Sequence, residues 1–326
     1  MGRVIQFREA LKEALQEEMQ RDEKVFLMGE EVAEYNGAYK VSQGLLDEFG
    51  PERVVDTPIS ELGFAGLGVG AAMNGLRPII EFMTFNFSLV AIDQVINSAA
   101  KMLFMSGGQC PVPIVFRGPT GNAGQLSAQH SQNFENWYAN TPGLKVVVPS
   151  TPYTAKGLLK SAIRDDNPVI FMESELMYGD KEEVPEEEYL LAIGKAEVLQ
   201  EGKDISLLSF GKIMKLAVAA AEILGKEGKS VELIDLRTVR PIDYETICAS
   251  VQKTNRLVIV EEAWPLASIS SEIAYHVQRY AFDYLDAPVQ RVSNLDIPLG
   301  YAPTLVEASL PSLKRILDSL RQVLYE

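Results

Sequence analysis

Three side chains stand where proton chemistry is feasible: Glu61, Glu30 and His130. Glu61 is the only charged residue between Thr57 and Leu76, in TPISELGFAGLGVGAAMNGL. A carboxyl on the lip of an apolar segment sheds hydration and can share a proton with a ligand. The same acid follows Pro58 and Ser60, so it also suits the first turn of a helix, where free N–H groups favour a carboxylate. Glu30 ends the run VFLMG, at the strand end where open α/β folds collect ligands. A helix cap or a surface ion pair would explain it equally. His130 lies in the polar loop TGNAGQLSAQHSQNFENW, after PVPIVF, and is one of only two histidines. Loops at strand ends carry function more often than cores do, and imidazole exchanges protons near neutral pH. A satisfied loop histidine is the alternative. His276, in SSEIAYHVQRY, falls on a helical pattern and reads as structural.

These groups need a scaffold, and the hydrophobic pattern supplies one. Phe7, Ala10, Leu11, Ala14, Leu15 and Met19 recur at helical spacing, and Val25–Met28 follows as a short buried strand. Strands are expected at 78–82, 112–116, 146–148 and 169–172, with helices at 87–105 and 154–164. The alternation predicts a parallel sheet covered on both faces. The stretch DKEEVPEEE, Asp180–Glu188, holds six acids and one Lys, which suits a surface joint. Beyond it the alternation restarts, so domains over 1–180 and 204–326 with an acidic linker at 181–203 are expected. The match of Gly66–Ala71 to GxGxxA raises the possibility of a nucleotide-binding turn. It lies inside a helical run, however, and a phosphate needs the free N–H groups of a helix start, so close packing explains these glycines better.

The chain has 326 residues and a formal net charge of −15, with 47% hydrophobic and 23% charged residues. That is the profile of a globular enzyme, and the charge argues against nucleic acid and anionic membranes. Cys110 and Cys248 lie in no metal-ligand spacing, which fits a reduced compartment. The start, MGRVIQFREALKEALQEEM, has neither the apolar core of a signal peptide nor transit character, which points to a cytoplasmic, bacterial-type protein.

The segments GEEVAEYNGAYKVSQGL, DTPISELGFAGLGVGAAMNGLRPIIEFMTFNF and DQVINSAAK carry a resemblance, joined by PVPIVFRGPTG, AQHSQ and KSAIRDDNPV. Together with DLRTVRPID and LDAPVQRV in the second half, they resemble the transketolase-like thiamine diphosphate enzymes. More narrowly, the chain is similar to the β subunit of the E1 component of 2-oxo acid dehydrogenase complexes. The resemblance implies two doubly wound α/β domains, an N-terminal pyrimidine-binding domain and a smaller transketolase-C-like domain.

It also implies roles. An acid at the position of Glu61 hydrogen-bonds N1′ of the cofactor's aminopyrimidine and favours the tautomer that takes the proton from C2. Glu30 supports the same pocket, and Ile59 and Phe87 pack on the ring, although Phe87 alone would pass for core filling. His130 becomes an active-site residue, donating a proton or positioning the intermediate in acyl transfer to a lipoyl group. Potassium would lie near Ile114, Ala162, Ile163, Asp165 and Asn167, held mostly by carbonyl oxygens.

Enzymes of this type anchor the diphosphate through Mg²⁺ and a GDG motif with a later Asn. The sole Gly-Asp pair here is Gly179-Asp180, in the acidic joint. An α subunit holding Mg²⁺, in an α2β2 assembly, is therefore expected, with an E2 acyltransferase core as a further partner. AYKVSQGL and FMTFNFSLVAIDQVINSAAK are closer to pyruvate forms than to branched-chain or acetoin forms. A non-catalytic scaffold docking an acyl-carrier core would need neither Glu61 nor His130.

Overall fold

The structure, a computed structural model, describes residues 2–325. Its first half contains β1 (Gly2–Gln6), β2 (Val25–Gly29), β3 (Val54–Asp56), β4 (Arg77–Glu81), β5 (Val115–Pro119), β6 (Lys145–Val147) and β7 (Val169–Glu173). The second contains β8 (Lys181–Pro185), β9 (Glu197–Gln200), β10 (Ile205–Ser209), β11 (Val231–Asp235), β12 (Thr238–Arg240), β13 (Leu257–Val260) and β14 (Gln290–Val292).

A seven-stranded sheet runs β12-β6-β7-β5-β4-β2-β3, antiparallel only at the β12–β6 edge. A five-stranded sheet runs β14-β13-β10-β11-β9, antiparallel only where β9 joins β11. Strands covered on both faces must be buried throughout, and every residue of β5, β7, β10 and β11 is. The chain thus folds as two mostly parallel α/β units. Among the described residues no helix is long and apolar enough to cross a membrane, and Cys110 and Cys248 are free.

The first helix, Phe7–Arg21, buries all six residues of the predicted apolar face. Its polar face is used as well. Lys156 and Lys160, almost fully buried on the helix Pro152–Arg164, pair with Glu13 and Glu17 at 2.6 to 3.0 Å.

Two expectations meet a different structure. The continuous helix over 87–105 is instead a 3₁₀ segment at Phe85–Leu89, a π-helical turn at Gln94–Ala99 and a short α-helix at Ala100–Met105. Polar side chains compete for the backbone here. Ser88 Oγ donates to the Phe85 carbonyl and meets Tyr138 Oη at 2.6 Å, and Thr84 Oγ1 accepts from Asn86. The acidic stretch also carries order: β8 pairs antiparallel with β1, and β9 joins the second sheet. Val184 is buried beside Ile5 and Ala10, while the acids around it stay at least partly exposed. In the other direction, β12 leaves the second half to edge the first sheet.

The Gly66–Ala71 run lies inside the helix Glu61–Met73, away from any strand-to-helix turn. Gly68 is the tight position, because a Cβ there would come within 2.5 Å of Ile80 Cδ1 on β4. Removing the side chain lets this helix settle on the sheet and brings its first turn to the sheet edge.

Candidate active site

β2, β4 and β5 end side by side. Neighbouring connections diverge there, since β2 leads outward to β3 while β4 lies on its other side. Open α/β sheets bind ligands in the crevice at such a point. A cavity of about 360 Å³ occupies it. Glu30 enters from the end of β2, and Ile59 and Glu61 from the turn after β3. Phe87 enters from the segment after β4, and His130 from the loop after β5. The five residues singled out for the cofactor and for catalysis, distant in sequence, therefore line one cavity.

Glu61 opens the helix Glu61–Met73, and Ser60 makes no side-chain cap bond there, so the dipole acts on Glu61 without a competing cap. Glu61 and Glu30 are each only 6% exposed. Burial pushes the Glu30 carboxyl up to about 7, the charge of Glu61 adds to this, and a backbone hydrogen bond at Met83 opposes it. The Glu30 carboxyl therefore keeps its proton to near neutrality while lying beside Glu61. Glu30 Oε1 is buried without a partner, an unmet polar atom at the cavity wall.

A stability consequence follows. Folding strengthens the hold of Glu30 on its proton, so its contribution is full below the ordinary carboxyl range and is lost as pH rises through about 7. Glu30→Gln should therefore be more stable than the parent at pH 8, by about 1–3 kcal/mol, and nearly equal to it at pH 5. Urea unfolding at the two pH values checks this. An equal effect of the substitution at both pH values would contradict the raised hold of Glu30 on its proton.

His130 closes the short turn Ala128–His130, and its ring meets Phe87 edge-on, with centroids 5.0 Å apart and planes at 85°. Phe87 is only partly buried, so it walls the cavity and does not fill the core. Ile59 forms the lip and is 84% exposed. Asn86 ties the two segments together, accepting the Gln132 N–H at 3.0 Å. The broken helix has a purpose in this setting, since it turns Phe87 toward His130.

Tyr39 and Glu175 also line the cavity. Burial, then the charge of Glu175, pushes the Tyr39 hydroxyl up to about 12. Glu175 lies just past β7, and the rule that strand ends carry ligands points to it. A buried charge cluster holds three neighbouring strands. Arg117 on β5 forks onto both oxygens of Glu173 on β7, at 2.7 and 2.6 Å, and pairs with Glu81 on β4. Tyr178 donates to Glu173 at 2.8 Å. The bidentate geometry fixes the strand ends that bear the cavity. No short motif marks this cluster, because its members come from three separate strands.

The residues expected at a potassium site gather at the end of the helix Pro152–Arg164. Arg77 donates to the Ile163 and Asp165 carbonyls at 3.1 Å each. Ala162 O accepts the Asp165 N–H, Ile114 O accepts the Val169 N–H, and Asn167 donates to the Asp165 carboxylate. His276 lies elsewhere, stacked on Tyr244 with centroids 3.7 Å apart.

The fold defines a class, which comparison with known proteins bears out. The family described as "Transketolase, pyrimidine binding domain" matches residues 3–181, and "Transketolase, C-terminal domain" matches residues 194–316. A solved structure titled "Split gene transketolase, inactive beta4 tetramer" shares the fold, with TM-score 0.80, 21% identity and 98% of each chain covered. A curated "Pyruvate dehydrogenase E1 component subunit beta" from Rhizobium meliloti is 58% identical over 98% of this chain and 70% of its own length. Its counterpart from Rickettsia felis is 55% identical over 98% of both chains. A mitochondrial beta-1 form from Oryza sativa is 55% identical over 98% of this chain and 86% of its own. The chain belongs to the family of pyruvate dehydrogenase E1 component β subunits.

Proposed function

We propose that the chain is the β half of a thiamine diphosphate-dependent E1 enzyme that decarboxylates pyruvate and transfers the acetyl group to a lipoyl group of an E2 acyltransferase. The observation that carries this is the meeting of Glu30, Ile59, Glu61, Phe87 and His130 on one cavity at the sheet's switch point. The cavity suits a flat heteroaromatic ring: apolar walls at Ile59, Met83, Phe87 and Leu126 face a carboxyl pair with an unmet oxygen.

When bound, the cofactor supplies a carbon nucleophile and an electron sink for loss of CO₂. This chain's residues manage protons and water around it. Glu61 holds a proton at a nitrogen of the pyrimidine ring. Glu30, keeping its own proton to about pH 7, spares Glu61 a second charge nearby. Ile59 and Phe87 exclude water from the ring faces. His130, steadied against Phe87, moves a proton at the substrate oxygen and at the lipoyl sulfur.

The diphosphate and its Mg²⁺ fall to an α subunit, for which the sequence without GDG leaves room. Apolar side chains exposed at the cavity lip and along the helix that Glu61 opens support such a neighbour: Ile59 at 84%, Leu67 at 67% and Leu62 at 47%. An α2β2 assembly in the cytoplasm completes the reading. Single-turnover decarboxylation with both chains tests the substrate. Pyruvate should react faster than 3-methyl-2-oxobutanoate, and the reverse order would overturn the assignment.

A structural potassium ion belongs to the same proposal. The Ala162 and Ile163 carbonyls lie at the negative end of the helix Pro152–Arg164, and the Ile114 carbonyl reaches the strand that follows it. Arg77 and Lys145 already engage the Ile163 carbonyl and the Asp165 carboxylate, so an ion would use the second lone pairs left on these oxygens. That oxygen set fits a hard monovalent cation. Melting in KCl at about 100 times the dissociation constant should show about 2.7 kcal/mol more stability than in choline chloride. Coincident melting curves would count against the ion.

A further inference from the structure

The loop from Thr120 to Asn133 carries His130, and residues of the second half of the chain grip both of its ends. Glu262, two residues past β13, accepts the Asn122 N–H through Oε1 at 2.5 Å, and its backbone carbonyl accepts from Asn133 Nδ2. Lys212, in the turn after β10, donates to the Asn122 carbonyl at 2.5 Å and pairs with Glu262 Oε2 at 2.8 Å. The fit is close. Gly121 sits at φ +76°, and a Cβ there would lie 2.7 Å from Glu262 Oε1.

The surroundings are buried. Glu262, Asn122 and Asn133 are all buried. A cavity of about 20 Å³ beside them, lined in part by Lys212, Glu135, Ser174 and Glu262, has room for one water. Glu135 Oε2 and Ser174 Oγ are buried there without partners, and burial pushes the Glu135 carboxyl up to about 8. Glu135 thus adds little charge near neutrality, and the close ionic contact in this region is the 2.8 Å pair of Lys212 with Glu262. Removing Lys212 strands the buried Glu262 carboxylate, and removing Glu262 leaves a half-buried ammonium without its partner. Neither residue lines the cavity that holds Glu61, so neither is a catalytic residue.

We propose that Glu262 and Lys212 are positioning residues, an ion pair of the second domain that sets the place of His130 for acyl transfer. The seating of one domain on the other then governs the transfer step more than decarboxylation. The catalytic half of this proposal rests on the role given to His130 above.

The test uses the complex reconstituted with its α and E2 partners and three variants, Glu262→Ala, Glu262→Gln and Lys212→Met. Pyruvate decarboxylation is read with an artificial electron acceptor, and lipoyl acetylation is read separately. In Glu262→Ala and Lys212→Met, acetylation should fall about tenfold or more relative to decarboxylation, with the KM for the lipoyl partner unchanged. Glu262→Gln, which keeps an acceptor for Asn122, should recover part of the loss. In a His130→Ala background, Glu262→Ala should cost nothing further in transfer, because residues acting through one another are not additive. Amide exchange over residues 120–133 should quicken in both Glu262→Ala and Lys212→Met. Unchanged exchange, or an undiminished cost in the His130→Ala background, overturns the proposal. Loosened exchange combined with normal transfer by His130→Ala overturns instead the role of His130, and with it the catalytic half.

Discussion

Glu61→Ala should lower pyruvate oxidation by the assembled enzyme about 10²–10⁴-fold, the usual cost of losing a positioned proton-handling group. Assembly with the α subunit should survive, because Glu61 makes no ion pair among the described residues and opens a helix whose packing rests on Phe64, Ala65, Gly68 and Val69. The side chain is nearly buried beside a second carboxyl. Its removal frees Glu30 from a neighbouring negative charge, so the folded chain should not suffer. Glu61→Gln keeps the shape and should be almost as inactive. Full turnover by Glu61→Ala, measured as acetyl-CoA formed by the complete complex, would favour a scaffold that merely docks an acyl-carrier core.

His130→Ala should separate two steps. Lipoyl acetylation should fall about 10²-fold, within the range for a lost general acid or base. Decarboxylation followed with an artificial acceptor should fall much less. The contacts give the reason: His130 packs on the ring of Phe87, whereas Glu30 and Glu61 interact with each other. The two assays run on one preparation check this. Equal losses in both would place His130 in the first step.

Much of this was legible in the residue pattern because parallel α/β units write themselves plainly. Buried strands such as VIFME appear as apolar runs, and helices such as Phe7–Arg21 show a repeating face. Glu61 and Glu30 stand out because each sits at the end of such an element, and His130 because it is one of two histidines and lies in a polar loop after a strand. What escaped was set by contacts distant in sequence. β8 reads as an acidic joint until β1 lies beside it and Val184 finds Ile5 and Ala10. The helix over 87–105 has good periodicity, but Asn86 and Ser88 bind partners that only the fold supplies. The grip of Glu262 on the His130 loop spans 140 positions, and no local pattern announces it.

The central claim is that the Glu61 carboxyl meets a nitrogen of a thiamine ring whose diphosphate another polypeptide holds. A structure of the α–β complex with thiamine diphosphate and Mg²⁺ tests it most directly. The account predicts a Glu61 oxygen about 2.6–3.2 Å from that ring nitrogen, with Phe87 and Ile59 against the ring. A Glu61 side chain turned to solvent, with the ring seated elsewhere, would contradict it.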